Sequence, residues 1–246
     1  MVSMPNISMN ETTREKLRGV STATIASALY KRGLRNQMIQ NVVPLGLPKD
    51  GRSMVGPAYT LRYMPAREDR NPMSIFRNHS HPQRKGVEEA PAGCVMVFDS
   101  RKDARAASAG GILVTRLMVR GVVGVVTDGG FRDSADIATM NIASYHQRPS
   151  APTNLTLHEA IDINVPIGCG DAPVFPGDVI VGDADGVIVI PAEIAEEIAD
   201  EAVEMTVFED YVQERVRDGA ITLGLYPPTD ERNLDTFAAW RKARGR

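Results

Sequence analysis

The spacing of apolar and polar residues divides the chain into a helical start, a strand-rich middle and a long closing helix. From Thr12 to Arg32, Ile25, Ala28 and Leu29 share one helical face, so the spacing predicts a helix opened by Thr12 or Thr13 and stopped by Gly33. Ser53 to Met64 follows as an extended run, whose Gly56-Pro57 marks a bulge or a sheet edge. The next stretch, Pro65 to Gly93, is polar and proline-bearing and predicts a long surface excursion with one short helix. Regularity returns with an apolar strand, Cys94 to Asp99. A helix from Ala104 to Arg120 comes next, on which Ile112, Leu113, Leu117 and the aliphatic part of Arg116 recur at helical spacing.

Val122, Val123, Val125 and Val126 then form a β-branched run suited to a strand buried on both faces. Together these segments make a strand, helix, strand unit of about 30 residues, as in a parallel pair joined by a right-handed crossover. The run ends at Gly129-Gly130, where missing side chains would let a ligand come close, and then presents Arg132 beside Asp133. Ligands bind past the carboxyl ends of strands in such sheets, so this pair is the leading site candidate. A guanidinium clamps a carboxylate through paired hydrogen bonds, and an aspartate is a hard oxygen ligand for a divalent metal.

The second half is shorter in period. Asn141 to Tyr145, Ala172 to Phe175, Val179 to Gly182 and Gly186 to Ile190 read as strands, with turns at Pro176-Gly177-Asp178 and Asp183-Ala184-Asp185-Gly186. Pro191 opens a helix of about 25 residues to Asp218, with Gly219 as its stop.

Composition narrows the function classes. With 43% hydrophobic and 24% charged residues and a net charge of −3, the chain is an ordinary globular protein without a basic field for nucleic acid. Its basic clusters, Arg84-Lys85 and Arg241 to Arg246, read as solvated surface and a solvated tail. The two cysteines, Cys94 and Cys169, give no disulfide framework, and no leader or membrane-spanning run is evident, so the expected setting is cytoplasmic. Asp183 to Gly186 lacks the later ligands of a calcium loop, and His79 and His81 lack a third metal ligand, so they read as a turn and as solvent-exposed histidines. His146, His158, Asp128 and Asp178 read as partners of backbone and turns. Gly110-Gly111 has two explanations: close helix packing, or a helix start whose first amides face an anion.

The order of motifs resembles the family containing regulator of ribonuclease activity A and the class II 4-hydroxy-4-methyl-2-oxoglutarate aldolases. The matching segments are Gly110 to Leu113, Arg120 to Asp133, Pro176 to Asp178 and Asp183 to Pro191, within a match over residues 12–225. The resemblance implies one α/β domain of the swivelling β/β/α type with an N-terminal helix and a C-terminal helical extension. It makes 65–93 a family-variable insertion and 226–246 a tail. A trimer or a dimer of trimers is implied, with sites in the clefts between subunits.

The implied chemistry is cleavage of a 4-hydroxy-2-oxo acid to pyruvate, or decarboxylation of oxaloacetate, through an enolate stabilised by Mg²⁺ or Mn²⁺. By the same resemblance Asp133 would hold the metal and Arg132 the pyruvyl group. Backbone amides at Gly111, Ile112 and Leu113 would meet the substrate carboxylate. Glu209, ahead of Glu214, would reach in from a neighbouring subunit. Aldolase members carry an acid where this chain has Gly111, and many relatives carry aspartate where it has Ser27. A non-catalytic regulator that binds a ribonuclease, or an enolate-type dehydratase or isomerase of a sugar-derived acid, are the alternative functions.

Overall fold

The computed structural model describes residues 8–229 and 231–246; the first seven residues, part of the stretch searched for a leader, lie outside it. Where one opening helix is expected there are two, α1 (Glu11–Arg18) and α2 (Thr22–Lys31). Each start has its own acceptor: Asn10 takes the Thr12 amide at 2.9 Å, and Ser21 takes the Thr24 amide at 3.1 Å. Gly33 follows α2 at φ +81°, the left-handed stop that its lack of a Cβ makes cheap.

The strands run as β1 (Val43–Gly46) and the long β2 (Met54–Pro65), then in three linked pairs. β3 (Val95–Asp99) leads to β4 (Ala107–Ala109), β5 (Gly124–Thr127) to β6 (Gly130–Phe131), and β7 (Ala143–His146) to β8 (Arg148–Pro149). The second half adds β9 (His158–Ile163), β10 (Ile167–Cys169), β11 (Ala172–Val174), β12 (Val179–Asp183) and β13 (Gly186–Ile190). In the main sheet the order is β1, β7, β5, β3, β2, β12, β13, with β9 also on β2. β2 is its spine: Pro57 pairs with Val179 of β12, Ala58 with Val95 of β3, and Pro65 with His158 of β9. The first members of the three pairs lie parallel in this sheet, and their second members form a small parallel layer in the order β4, β6, β8.

The valine run behaves as its pattern requires. Val125 packs with Phe98, Leu117 and Phe131, whereas Val126 packs on the other face with Tyr145, Ile180 and Val187. Each such side chain, fully buried, contributes about 1.5–3 kcal/mol. Val181, Ile188 and Ile190 meet Ile25, Leu29, Ile198 and Ala202, which ties α2 and the long C-terminal helix to the sheet. Asp183 and Gly186 close a two-residue hairpin, as the turn chemistry predicts. Cys94 and Cys169 are both buried and free.

Four further expectations need correction. The 65–93 segment is more than a surface excursion: after a short 3₁₀ turn at Met73–Arg77, α3 (Pro82–Glu89) buries Gln83, Gly86 and Val87. His81, before its first turn, is only 2% exposed and lies 3.1 Å from Glu159, so it is no solvated histidine. The predicted helix from Ala104 is a strand and a shorter helix, α4 (Gly111–Val119), because Ala107 pairs with Gly130 in the small layer and Gly110 keeps an extended backbone. Gly129 and Gly130 admit neighbours rather than a ligand: a Cβ would meet Ser100 Cβ at 2.6 Å from the first and Ser150 Cβ at 2.6 Å from the second.

α5 (Ser134–Thr139) follows β6, and α6 (Ala195–Arg217) fills most of the predicted closing helix. The basic C-terminal cluster lies on and just beyond α7 (Glu231–Arg244) and pairs with acids on α6: Arg241 with Glu204, Arg244 with Glu214 and Arg246 with Asp210, each at 2.7 Å. Phe237 packs edge-on against Phe208 and Trp240 against Tyr211, so apolar contact, more than exposed ion pairs, fixes α7. No helix among the described residues is long and apolar enough to cross a membrane.

Candidate active site

The small parallel layer explains how distant motifs meet. Ala109 of β4 pairs with Phe131 of β6, and the Arg132 amide donates to the Ala109 carbonyl at 3.1 Å. The residues following each strand, Gly110-Gly111 and Arg132-Asp133, are therefore delivered side by side. Asp133 adopts φ +56°, ψ +35°, a left-handed geometry that aspartate tolerates better than most residues. Its Oδ2 accepts the Gly111 amide at 3.0 Å and lies 3.7 Å from Arg132 Nε. A carboxylate at the first turn of α4 is also favoured by the helix dipole.

Neither side chain is buried away. Arg132 and Asp133 are 47% and 42% exposed, and both line a cavity of about 210 Å³. Ile112 and Leu113 contribute to its wall, and the Ile112 side chain is 85% exposed. Of the three amides expected to face the substrate, Gly111's is taken by Asp133 and Leu113's donates to the Gly110 carbonyl at 3.1 Å. The Ile112 amide is the first-turn donor without an acceptor among the described residues.

The cavity also holds residues that sequence reasoning passed over. Arg84 and Gln83 of α3 and Phe76 of the preceding 3₁₀ turn reach it from the 65–93 segment. Gln83 is anchored by donating Nε2 to Tyr63 Oη and to the Ser108 carbonyl, both at 2.9 Å. Only the basic pair Arg84-Lys85 hinted at this wall, and an eight-residue helix in a polar stretch leaves little periodic signal. Glu209 does not line this cavity in its own chain. It lies on α6, where Oε2 accepts from Thr24 Oγ1 at 2.8 Å and Oε1 from Tyr226 Oη at 3.4 Å. Glu214 is held by Arg244 and by Trp240 Nε1.

Three of the four isolated titratable residues serve structure as expected, whereas His146 takes no such part: its buried Nδ1 has no hydrogen-bond partner among the described residues, and its ring packs on Phe131. Asp128 accepts the amides of Ser100 at 2.7 Å, Lys102 at 3.1 Å and Gly170 at 3.2 Å, and burial pushes its carboxyl up to about 6. Asp178 accepts from the Phe175 and Ala192 amides. His158 donates Nε2 to the Asp103 carbonyl while Arg101 donates to Nδ1, which fixes the neutral tautomer; burial lowers its pKa. No cluster of three or more His, Cys, Asp or Glu side chains among the described residues could hold a metal.

The Aldolase/RraA pattern, described as RraA-like, matches residues 22–189. The chain belongs to this family. The matched span contains Gly111, Ile112, Leu113, Arg132 and Asp133 and ends before Glu209. A protein of Halalkalibacterium halodurans, provisionally named a 4-hydroxy-4-methyl-2-oxoglutarate aldolase, is 28% identical over 211 residues, covering 86% of this chain and 91% of the relative. The crystal structure of Streptomyces coelicolor RraAS2, titled an unusual member of the RNase ES inhibitor RraA protein family, superposes with a TM-score of 0.74 at 27% identity. That superposition covers 85% of this chain and 99% of the other. An uncharacterised Pseudomonas syringae protein shares the fold at TM-score 0.74 and 19% identity, over 89% of this chain and 98% of its own.

Proposed function

We propose that this Aldolase/RraA protein is a divalent-metal-dependent lyase of small 2-oxo acids. Its reaction would be retro-aldol cleavage of a 4-hydroxy-2-oxo acid to pyruvate, decarboxylation of oxaloacetate, or both. The observation that carries it is the convergence of the Arg132 guanidinium, the Asp133 carboxylate and the first turn of α4 on one small cavity. The aldolase name of the Halalkalibacterium halodurans relative agrees with it.

The donor set fits Mg²⁺ or Mn²⁺ of one kind only. A single half-exposed carboxylate, with no cluster of further ligands, suits an ion whose shell is completed by water and substrate oxygens. When bound, such an ion would supply electrophilic pull on the 2-oxo group as the carbon–carbon bond breaks. Asp133, oriented by the Gly111 amide on Oδ2, would hold it. Arg132 would clamp the substrate carboxylate by paired hydrogen bonds, and the Ile112 amide would stabilise charge developing on a nearby oxygen. Glu209 of a neighbouring protomer, in a homotrimer or hexamer, would supply the second carboxylate for proton transfer.

Pyruvate release from oxaloacetate and from a 4-hydroxy-2-oxo diacid, with Mg²⁺ or Mn²⁺ and with chelator, tests this. Turnover should need metal and should vanish in Arg132→Ala and Asp133→Ala. One observation favours a non-catalytic regulator: Gly111 carries no side chain to anchor a proton-transferring water. Absence of turnover on every 2-oxo acid, with tight ribonuclease binding, would establish that second function.

A further inference from the structure

Resting on the 2-oxo acid function above, we infer that Arg84 determines specificity by binding a second carboxylate, at the end of the substrate away from the one held by Arg132. Two guanidinium groups line one cavity of about 210 Å³, but their surroundings differ. Arg132 has Asp133 beside it, with Nε 3.7 Å from Oδ2. Arg84 forms no ion pair among the described residues, and its Nε is buried without an acceptor. The acids of its own helix are committed elsewhere, Glu88 to Arg116 at 2.7 Å and Glu89 to Lys85 at 3.9 Å. Glu159, on the adjoining strand, is paired with His81. Arg84 is the cation that α3 leaves over, and a guanidinium cannot shed its charge to escape the cost.

The wall that carries it is preformed. His81 pins the start of α3 to Glu159 at 3.1 Å, and Gln83 is anchored through Nε2 to Tyr63 and Ser108. The Arg84 guanidinium lies over the Phe76 ring, with Cζ 4.7 Å from its centroid, and the residue lines the cavity. Arg84 and Arg132 against Asp133 leave the lining net positive, so a monoacid would answer only one of two guanidinium groups. The volume, about 210 Å³, is below the roughly 300–1,000 Å³ of ordinary small-molecule pockets, which suits a short dicarboxylate.

The test compares two unreactive chain-matched probes by calorimetry in Mg²⁺: 2-oxoglutarate, and 2-oxopentanoate, which lacks the terminal carboxylate. Wild type should bind 2-oxoglutarate about tenfold or more tightly, as expected for a charge-assisted pair. Arg84→Met, which keeps the packing on Phe76, should bring that ratio close to one and leave 2-oxopentanoate affinity unchanged. Arg84→Lys should keep part of the preference, which a purely structural role would not produce. Equal binding of both probes by wild type, or a preference that survives in Arg84→Met, overturns the proposal while leaving the lyase function intact. Failure of wild type to bind either acid overturns both.

Discussion

The Gly111 amide and the Asp133 carboxylate, 22 residues apart in sequence, are joined by a 3.0 Å hydrogen bond. This bond locks the first turn of α4 to the loop that carries the candidate ligand, and it depends on both neighbouring glycines in different ways. A Cβ at Gly110 would meet Arg132 Cγ at 2.7 Å and Asp133 Oδ2 at 2.9 Å, whereas at Gly111 the nearest atom is Asp133 Cβ at 3.4 Å. The first approach forces the two side chains to shift, and the second is ordinary contact.

Substitution should therefore separate the two glycines. Gly110→Ala must push Arg132 and Asp133 out of place, costing about 1–3 kcal/mol of stability and at least tenfold in kcat/KM. Gly111→Ala should leave the melting temperature unchanged or raised, because alanine at an early helical position gains up to about 1 kcal/mol over glycine. Thermal unfolding and oxaloacetate turnover of the two variants check the contrast.

Asp133→Asn isolates charge from shape. Asparagine tolerates the left-handed backbone at φ +56° and keeps an oxygen for the Gly111 amide, so stability should change by less than about 0.5 kcal/mol. Loss of the anionic donor should abolish Mn²⁺ binding by electron paramagnetic resonance and lower turnover about a hundredfold or more. Asp133→Ala should lose the same binding and, in addition, about 1–2 kcal/mol of stability to backbone strain.

The elements with strong periodicity were legible in the chain, and so was the placement of the candidate Arg132–Asp133 loop. Val125 and Val126 announced a two-faced strand, Asp183 to Gly186 a hairpin, and Arg132-Asp133 a loop past a strand end. What hid was structure set by pairing. Ala107 to Ala109 looks helical locally and becomes a strand only because β6 lies beside it. The break between α1 and α2 rests on caps from Asn10 and Ser21 within a pattern that continues across them. Arg84 hid because its partners in space, Phe76 and the residues after β4 and β6, are not in its own periodic segment.

Asp128 gives the fold a predictable pH response. Its carboxyl titrates at about 6 in the folded chain against 3.8 when unfolded, chiefly through burial. Because the folded value is raised, the stabilising contribution is complete below about 3.8 and is lost as pH rises through about 6. Asp128→Asn lacks this titration but offers one oxygen where two now accept the Ser100, Lys102 and Gly170 amides. The stability difference between wild type and variant should thus shrink from pH 4 to pH 6 and be flat above it. Denaturant unfolding at fixed pH values measures it, and a constant difference would show that Asp128 does not titrate there.

The proposed role of Glu209 makes a claim about assembly that one mixing experiment decides. Within its own chain Glu209 touches Thr24 and Tyr226 and is absent from the Arg132–Asp133 cavity, so any part it has in turnover must be played at a neighbour's site. Glu209→Gln and Asp133→Asn should each be inactive alone. Subunits of the two, unfolded together and refolded, should regain activity, because some clefts then combine an intact Asp133 from one protomer with an intact Glu209 from the next. Random mixing should restore about a quarter of wild-type sites, since each site needs two independent intact halves. If Glu209→Gln alone keeps full kcat and loses only melting temperature, the residue is a clasp between α2 and α6, and the base must come from within the cavity itself.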